Sequence, residues 1–213
     1  MSSKSQSNYE KIIVWYIIAY LLLVSSLSIQ SDANFNFEWV YTVLQAGVIS
    51  SLSFVFMSIF PQGSREVLVF FSKNKIPGKR IFSNIKNKKL KDIRINNDLA
   101  LSKYCDIINE VTKLNGKEAR NFENSKWYEI YNKHTEDYRV VKTHKDNLLG
   151  RDLFLTTLLL SMFTMIAFFV SLISFNWIVV IYLVLMLILT NIVARNNAAR
   201  FVRTVIAVDL IAS

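Results

Sequence analysis

Four apolar segments divide this chain of 213 residues, and none of them contains Asp, Glu, Lys, Arg or His. They run from Ile12 to Ile29, Trp39 to Phe60, Leu153 to Ile173 and Trp177 to Ala194. Each is about the length at which a helix rising ~1.5 Å per residue crosses ~30 Å of hydrocarbon. Long helices at the surface of a soluble core carry polar stripes at helical spacing, whereas these runs are apolar all round. The pattern predicts an all-α integral membrane protein with four transmembrane helices. It sets the solvent of half the chain before any motif is read.

Charge orients the spans. Residues 61–152 hold 20 of the 25 Lys and Arg residues, against 12 of the 16 Asp and Glu. Gln30–Glu38 carries Asp32 and Glu38 but no cation, and Ser174–Asn176 is uncharged. The positive-inside rule then puts both termini and the long middle stretch on the cytoplasmic face of a bacterial inner membrane. Trp39 and Trp177 open the second and fourth spans at the outer interface, where amphipathic rings settle. Lys4 and Lys11 ahead of the first run resemble the start of a signal peptide. That run is longer than the usual apolar core of a signal, and Ser28–Asp32 is a poor cleavage site, so a retained helix is expected. The predicted organisation is helices 1 and 2 within residues 12–60, a helical cytoplasmic insert at 61–152, helices 3 and 4 at 153–194 and a cytoplasmic tail helix at 195–213. The formal charge of +9 is expected to draw the insert towards anionic lipid. Direct nucleic-acid binding is the less favoured reading of the same charge.

Within the insert, Arg65–Phe71 reads as a continuation of the second helix or as an interfacial helix. Pro77-Gly78 is the strongest turn signal in the chain. A helix is expected to begin at Asn97 or Asp98, which would cap it, and to reach Thr112 with Leu99, Leu101, Tyr104, Ile107, Ile108 and Val111 on one face. A polar stretch near Gly116 ends it. Asn121–Leu149 carries Trp127, Tyr128, Ile130, Tyr131, Tyr138, Val140 and Val141, with a helix running through His144 and Leu148 into the third span. The lone Cys105 excludes an internal disulfide and a Cys-rich metal site, and is expected as a reduced thiol in a small core.

The chain contains no P-loop, Gly-rich phosphate cradle or nucleophile elbow, and His134 and His144 are too far apart to share a helical turn. A non-enzymatic protein without a cofactor or metal is therefore expected. Lys79, Arg80, Arg94, Trp127, Tyr128 and Tyr131 are the candidate surface for a cytoplasmic protein partner or nucleotide ligand, since Arg and aromatic residues dominate interface hot spots. The competing reading makes Trp127 and Tyr131 core residues and gives Lys79 and Arg80 to lipid headgroups. Arg151 and Asp152, at the entry to the third span, and Arg195, at the exit of the fourth, are candidates for coupling to the membrane. Gln45 and the serines Ser50, Ser51 and Ser53 are polar residues of the second span; Gln45, Ser50 and Ser53 are candidates for helix packing or, in a homo-oligomer such as a tetramer, for lining an axis. In the tail, Ala199, Val202, Ile206 and Leu210 form a stripe flanked by Arg200 and Arg203. That pattern fits an amphipathic helix on the inner leaflet, or a helix packed on the insert or on a second subunit.

Lys75–Ser83, Asp92–Ile95, Asn124–Tyr131 and His144–Asp152 resemble, in order, a family of small, poorly characterised bacterial four-span membrane proteins. That family has Pro-Gly-x-Arg-x-Phe-Ser, Asp-x-Arg-Ile/Val, Asn-x-x-Trp-Tyr and Leu-x-x-Arg-Asp elements. The likeness covers roughly residues 68–155. This insert is richer in charged residues and poorer in Leu, and no catalytic residue is implied. The architecture is also similar to the membrane components of prokaryotic antiphage systems. That similarity implies a membrane sensor or effector working with a cytoplasmic partner. A small housekeeping channel or transporter is the alternative, although such proteins usually place ionisable groups within their spans.

Overall fold

The computed structural model describes residues 3–28, 61–90, 92–170 and 175–212. Among these residues every regular element is helical. In chain order they are α1 (Ser3–Ser28), α2 (Gln62–Phe70), a 3-10 turn (Pro77–Arg80), α3 (Ile81–Lys86), α4 (Asn97–Lys103), α5 (Cys105–Lys113), α6 (Gly116–Lys133), α7 (Tyr138–Phe169) and α8 (Trp177–Ile211). The expected second span, with Gln45, Ser50 and Ser53, lies outside the described residues. The chain divides into two units, one drawn from Met1–Arg65 and Asp152–Ile192, the other from Glu66–Arg151 and Val193–Ser213.

In the first unit, Ile17, Tyr20 and Val24 of α1 form a cluster with Leu160 of α7 and Val179 and Leu183 of α8. The Tyr16 hydroxyl is 2.7 Å from Thr157 Oγ1. The threonine hydroxyls of α7 and α8 turn back onto their own helices: Thr156, Thr157, Thr164 and Thr190 each donate to the carbonyl four residues earlier, at 2.7–2.8 Å. Such bonds let a hydroxyl sit among apolar side chains without an unpaired donor. Both α7 and α8 are long and apolar enough to cross a membrane. In α8 only 22 % of the most apolar stretch is buried within the chain, where a core helix of a soluble protein would be mostly enclosed.

The second unit is built around the end of α8. From Phe201 to Leu210 every residue except Arg203 is buried. Phe201, Val202, Val205, Ile206, Ala207, Val208 and Leu210 share one core with Ile81, Phe82 and Ile85 of α3, Tyr104, Ile108 of α5, Trp127 and Ile130 of α6 and Val140 of α7. The tail is thus enclosed on all sides, not along a single stripe. Val205, Ala207 and Val208 supply apolar surface outside the Ala199–Leu210 stripe, so an amphipathic helix lying on a leaflet is excluded for this stretch.

Local signals in the insert required correction at four points. The cap of α4 is Asn96, whose Oδ1 accepts from the Asp98 and Leu99 amides at 3.0 and 3.3 Å. The expected helix to Thr112 is broken at Tyr104 (φ −104°, ψ 20°). Tyr104 is fixed there by long-range contacts, its hydroxyl on Asp209 and its ring edge-on to Phe82 at 5.4 Å, and tertiary packing of this kind overrides helix propensity. The break shifts the phase of the helical face: Ala100 is buried, while Leu99 is exposed, and so is Cys105, expected in the core. Finally, α6 and α7 are separated by a turn at residues 134–137, and α6 begins at Gly116, whose φ of +53° suits glycine.

Candidate functional site

The segments singled out by motif converge on the end of α8. Phe201 is ringed by aromatics: Trp127 (5.4 Å, 86°) and Tyr131 (5.4 Å, 83°) meet it edge-on, and the His144 imidazole stacks on it at 4.9 Å. Trp127 and Tyr131 stack on each other at 5.6 Å because four residues bring them onto one face of α6. Trp127 Nε1 also donates to the Val202 carbonyl at 3.4 Å. Burial, and next the charge of Arg151, lower the pKa of His144, which disfavours a charged ring against Phe201.

Glu123 joins two of the motif strings. Its side chain is buried and accepts the amides of Phe82 and Ser83 at 3.0 and 3.1 Å, together with the Ser83 hydroxyl. It therefore caps the start of α3 from another helix, because Arg80 at the cap position makes no side-chain bond of its own. Close by, a Cβ at Gly78 would come within 3.1 Å of Asn124 Oδ1 and 3.3 Å of Trp127 Cε3, which accounts for glycine in the turn. Glu123→Gln keeps the shape but replaces one acceptor oxygen with a donor amide. It is expected to lose about 1–2 kcal/mol, a cost typical of a lost cap, measured by chemical denaturation.

A second polar cluster, absent from the sequence-derived candidates, gathers at Asp209. Its carboxylate accepts from the Tyr104 hydroxyl and lies against His134 Nε2 and Lys103 Nζ, each at 2.7 Å. Lys103 donates to the Asp209 carbonyl as well. An Asp–His–Tyr set can serve nucleophilic catalysis, but here the proton logic runs the other way. Burial and the bond to Asp209 push the Tyr104 hydroxyl well above its usual range, so it remains a donor. Three donors thus converge on the carboxylate, and the cluster acts as a clamp on the end of α8. Among the described residues no group of three His, Cys, Asp or Glu is placed to hold a metal.

The remaining candidates divide between core and surface. Trp127 is only 4 % exposed and belongs to the core, while its neighbour Tyr128 is exposed. Arg80 is exposed and Lys79 partly so. Lys79, Arg151 and Tyr128 all lie within electrostatic reach of Glu66, whose carboxyl is raised by burial against the pull of the two cations. Arg94 closes a ring on Asp92 (Nε 2.9 Å, Nη2 2.8 Å) and donates to Thr204 Oγ1 at 3.1 Å, so it braces α8. Arg151 and Asp152 are buried. Arg195 donates to the Val69 carbonyl at 3.0 Å and covers the rings of Phe70 and Phe71. The structure thus gathers Glu66, Lys79, Tyr128 and Arg151 in one neighbourhood and leaves Arg94 apart on the α8 clamp. Asp209 and Glu123 escaped sequence reasoning because their partners lie 40 to 106 residues away. Comparison with protein-family models, curated proteins and solved structures finds no match to this chain.

Proposed function

We propose that this chain is a four-span protein of a bacterial inner membrane that acts as a non-enzymatic sensor or effector. A cytoplasmic partner protein or nucleotide ligand engages the neighbourhood of Tyr128, Lys79 and Arg80, and α7 and α8 carry the resulting displacement into the spans. One observation carries this reading. Each of α7 and α8 joins an uncharged stretch with an exposed apolar surface to a stretch that belongs to the aromatic, polar-clamped second unit. Met162, Phe163, Ile166 and Phe169 on α7, with Ile181, Val184, Leu185, Ile188 and Leu189 on α8, are exposed. Apolar surface of that extent is unfavourable in water and favourable in lipid. Hydrogen-bonded helices suit the coupling role, because they transmit a displacement without a hinge.

The setting proposed is defence against phage, on the architectural likeness described above, with the protein working as a homo-oligomer. A reporter fused after Gly116 is expected to read cytoplasmic and one inserted at Asn34 periplasmic; the reverse pattern overturns the topology. Cells carrying the gene are expected to plate phage less efficiently than cells without it. Tyr128→Ala and Arg80→Ala should abolish that difference while leaving the protein in the membrane. Unchanged plating in both variants removes this surface as the site, and native mass spectrometry showing only monomer removes the oligomer.

A further inference from the structure

At the end of α2 the chain passes through a strained backbone position. Phe71 follows the helix with φ +52°, a left-handed conformation usually given to glycine at this position and disfavoured for a bulky side chain. The Phe71 side chain is 72 % exposed. The guanidinium of Arg195 lies 5.2 Å from the centre of the Phe71 ring and 5.9 Å from that of Phe70. Its Nε is held by the Val69 carbonyl, and its two terminal nitrogens have no protein acceptor among the described residues. Exposed Lys73 and Lys75 follow in the adjoining turn. Arg195 comes directly after Ala194, the last residue of the uncharged run in α8.

We propose that Arg195, Phe71, Lys73 and Lys75 form a site for the headgroup of an anionic phospholipid of the inner leaflet. The inference rests on the membrane reading above. At the end of a span, Arg195 stands at headgroup depth, and its planar fork offers parallel donors to a phosphodiester. The two lysines add the excess positive charge that favours an anionic over a zwitterionic lipid. The ring of Phe71, turned outward by the left-handed backbone, supplies the apolar contact at the acyl boundary. An acidic protein surface offers carboxylates but no acyl boundary for the ring, so lipid is the better fit.

The test uses the full chain in mild detergent, titrated with phosphatidylglycerol or phosphatidylcholine and read by native mass spectrometry, with thermal unfolding measured in parallel. The wild type should retain phosphatidylglycerol preferentially. Arg195→Gln should weaken that retention about fivefold, as should each charge removed in Lys73→Gln/Lys75→Gln. Phe71→Gly, which relieves the backbone, should hold or raise the unfolding temperature while losing retained lipid. The inference is overturned if the lysine pair, which is exposed and independent of folding, leaves the lipid ratio unchanged. It is overturned equally if Phe71→Gly lowers stability with lipid retention intact, or if inorganic phosphate competes as well as the lipid does. A chain recovered outside the membrane fraction defeats the membrane reading itself, whereas an inserted chain without lipid preference defeats only this site.

Discussion

Asp209→Asn is expected to release the end of α8 from the second unit, at a cost of about 3 kcal/mol or more. Three groups depend on that carboxylate: the Tyr104 hydroxyl, His134 Nε2 and Lys103 Nζ. An amide keeps one acceptor oxygen but turns an NH2 donor towards groups that are themselves donors, leaving Lys103 without its counter-charge. Limited proteolysis at residues 195–211 and the midpoint of denaturation both report the loss. The pH dependence is a second signature. Burial alone would push the Asp209 carboxyl up, but the hydrogen bonds from Lys103, His134 and Tyr104 outweigh it and hold it below the ordinary carboxylate range. A carboxyl lowered by folding contributes stability that is fully present above its unfolded pKa and is lost as pH falls through the folded one. The part of the gap between wild type and Asp209→Asn that this carboxyl's charge supplies should therefore shrink below about pH 4. A gap that does not change with pH would show that the carboxylate's charge is not what holds the helix.

Trp127→Ala is expected to cost about 3–5 kcal/mol, while Tyr128→Ala, one residue along the same helix, should stay within about 0.5 kcal/mol. The indole fills the space between Tyr131, Phe201 and Gly78 and donates to the Val202 carbonyl, so its removal opens a cavity beside α8 and loses that bond. Tyr128 touches the same indole edge-on at 4.9 Å, but from the exposed side. Denaturant midpoints of the two variants check the contrast. Equal, small effects would mean that the aromatic cluster does not hold the unit together. Paired with phage plating, the variants separate folding from recognition, because Tyr128→Ala should affect only recognition.

Some of this was readable along the chain. Uncharged runs such as Leu153–Ile173 and Trp177–Ala194 announce long apolar helices, since no other backbone form pairs all its polar groups within one segment among apolar surroundings. The Pro77-Gly78 turn and the helical recurrence of Trp127 and Tyr131 follow from equally local rules of backbone geometry and side-chain period. What stayed hidden depends on partners distant in sequence. A one-residue break at Tyr104 moves Leu99 and Cys105 to the surface, and nothing near Tyr104 signals it; the cause is Asp209, 105 residues later. Glu123 reads as an ordinary exposed helix residue until the start of α3 is brought to it. The tail's stripe looks amphipathic until the insert closes around its other faces. Periodicity records which residues avoid water, and that is a property of each segment alone. Which donor meets which acceptor, and whether an apolar face is covered by lipid or by another helix, is decided only when the segments pack.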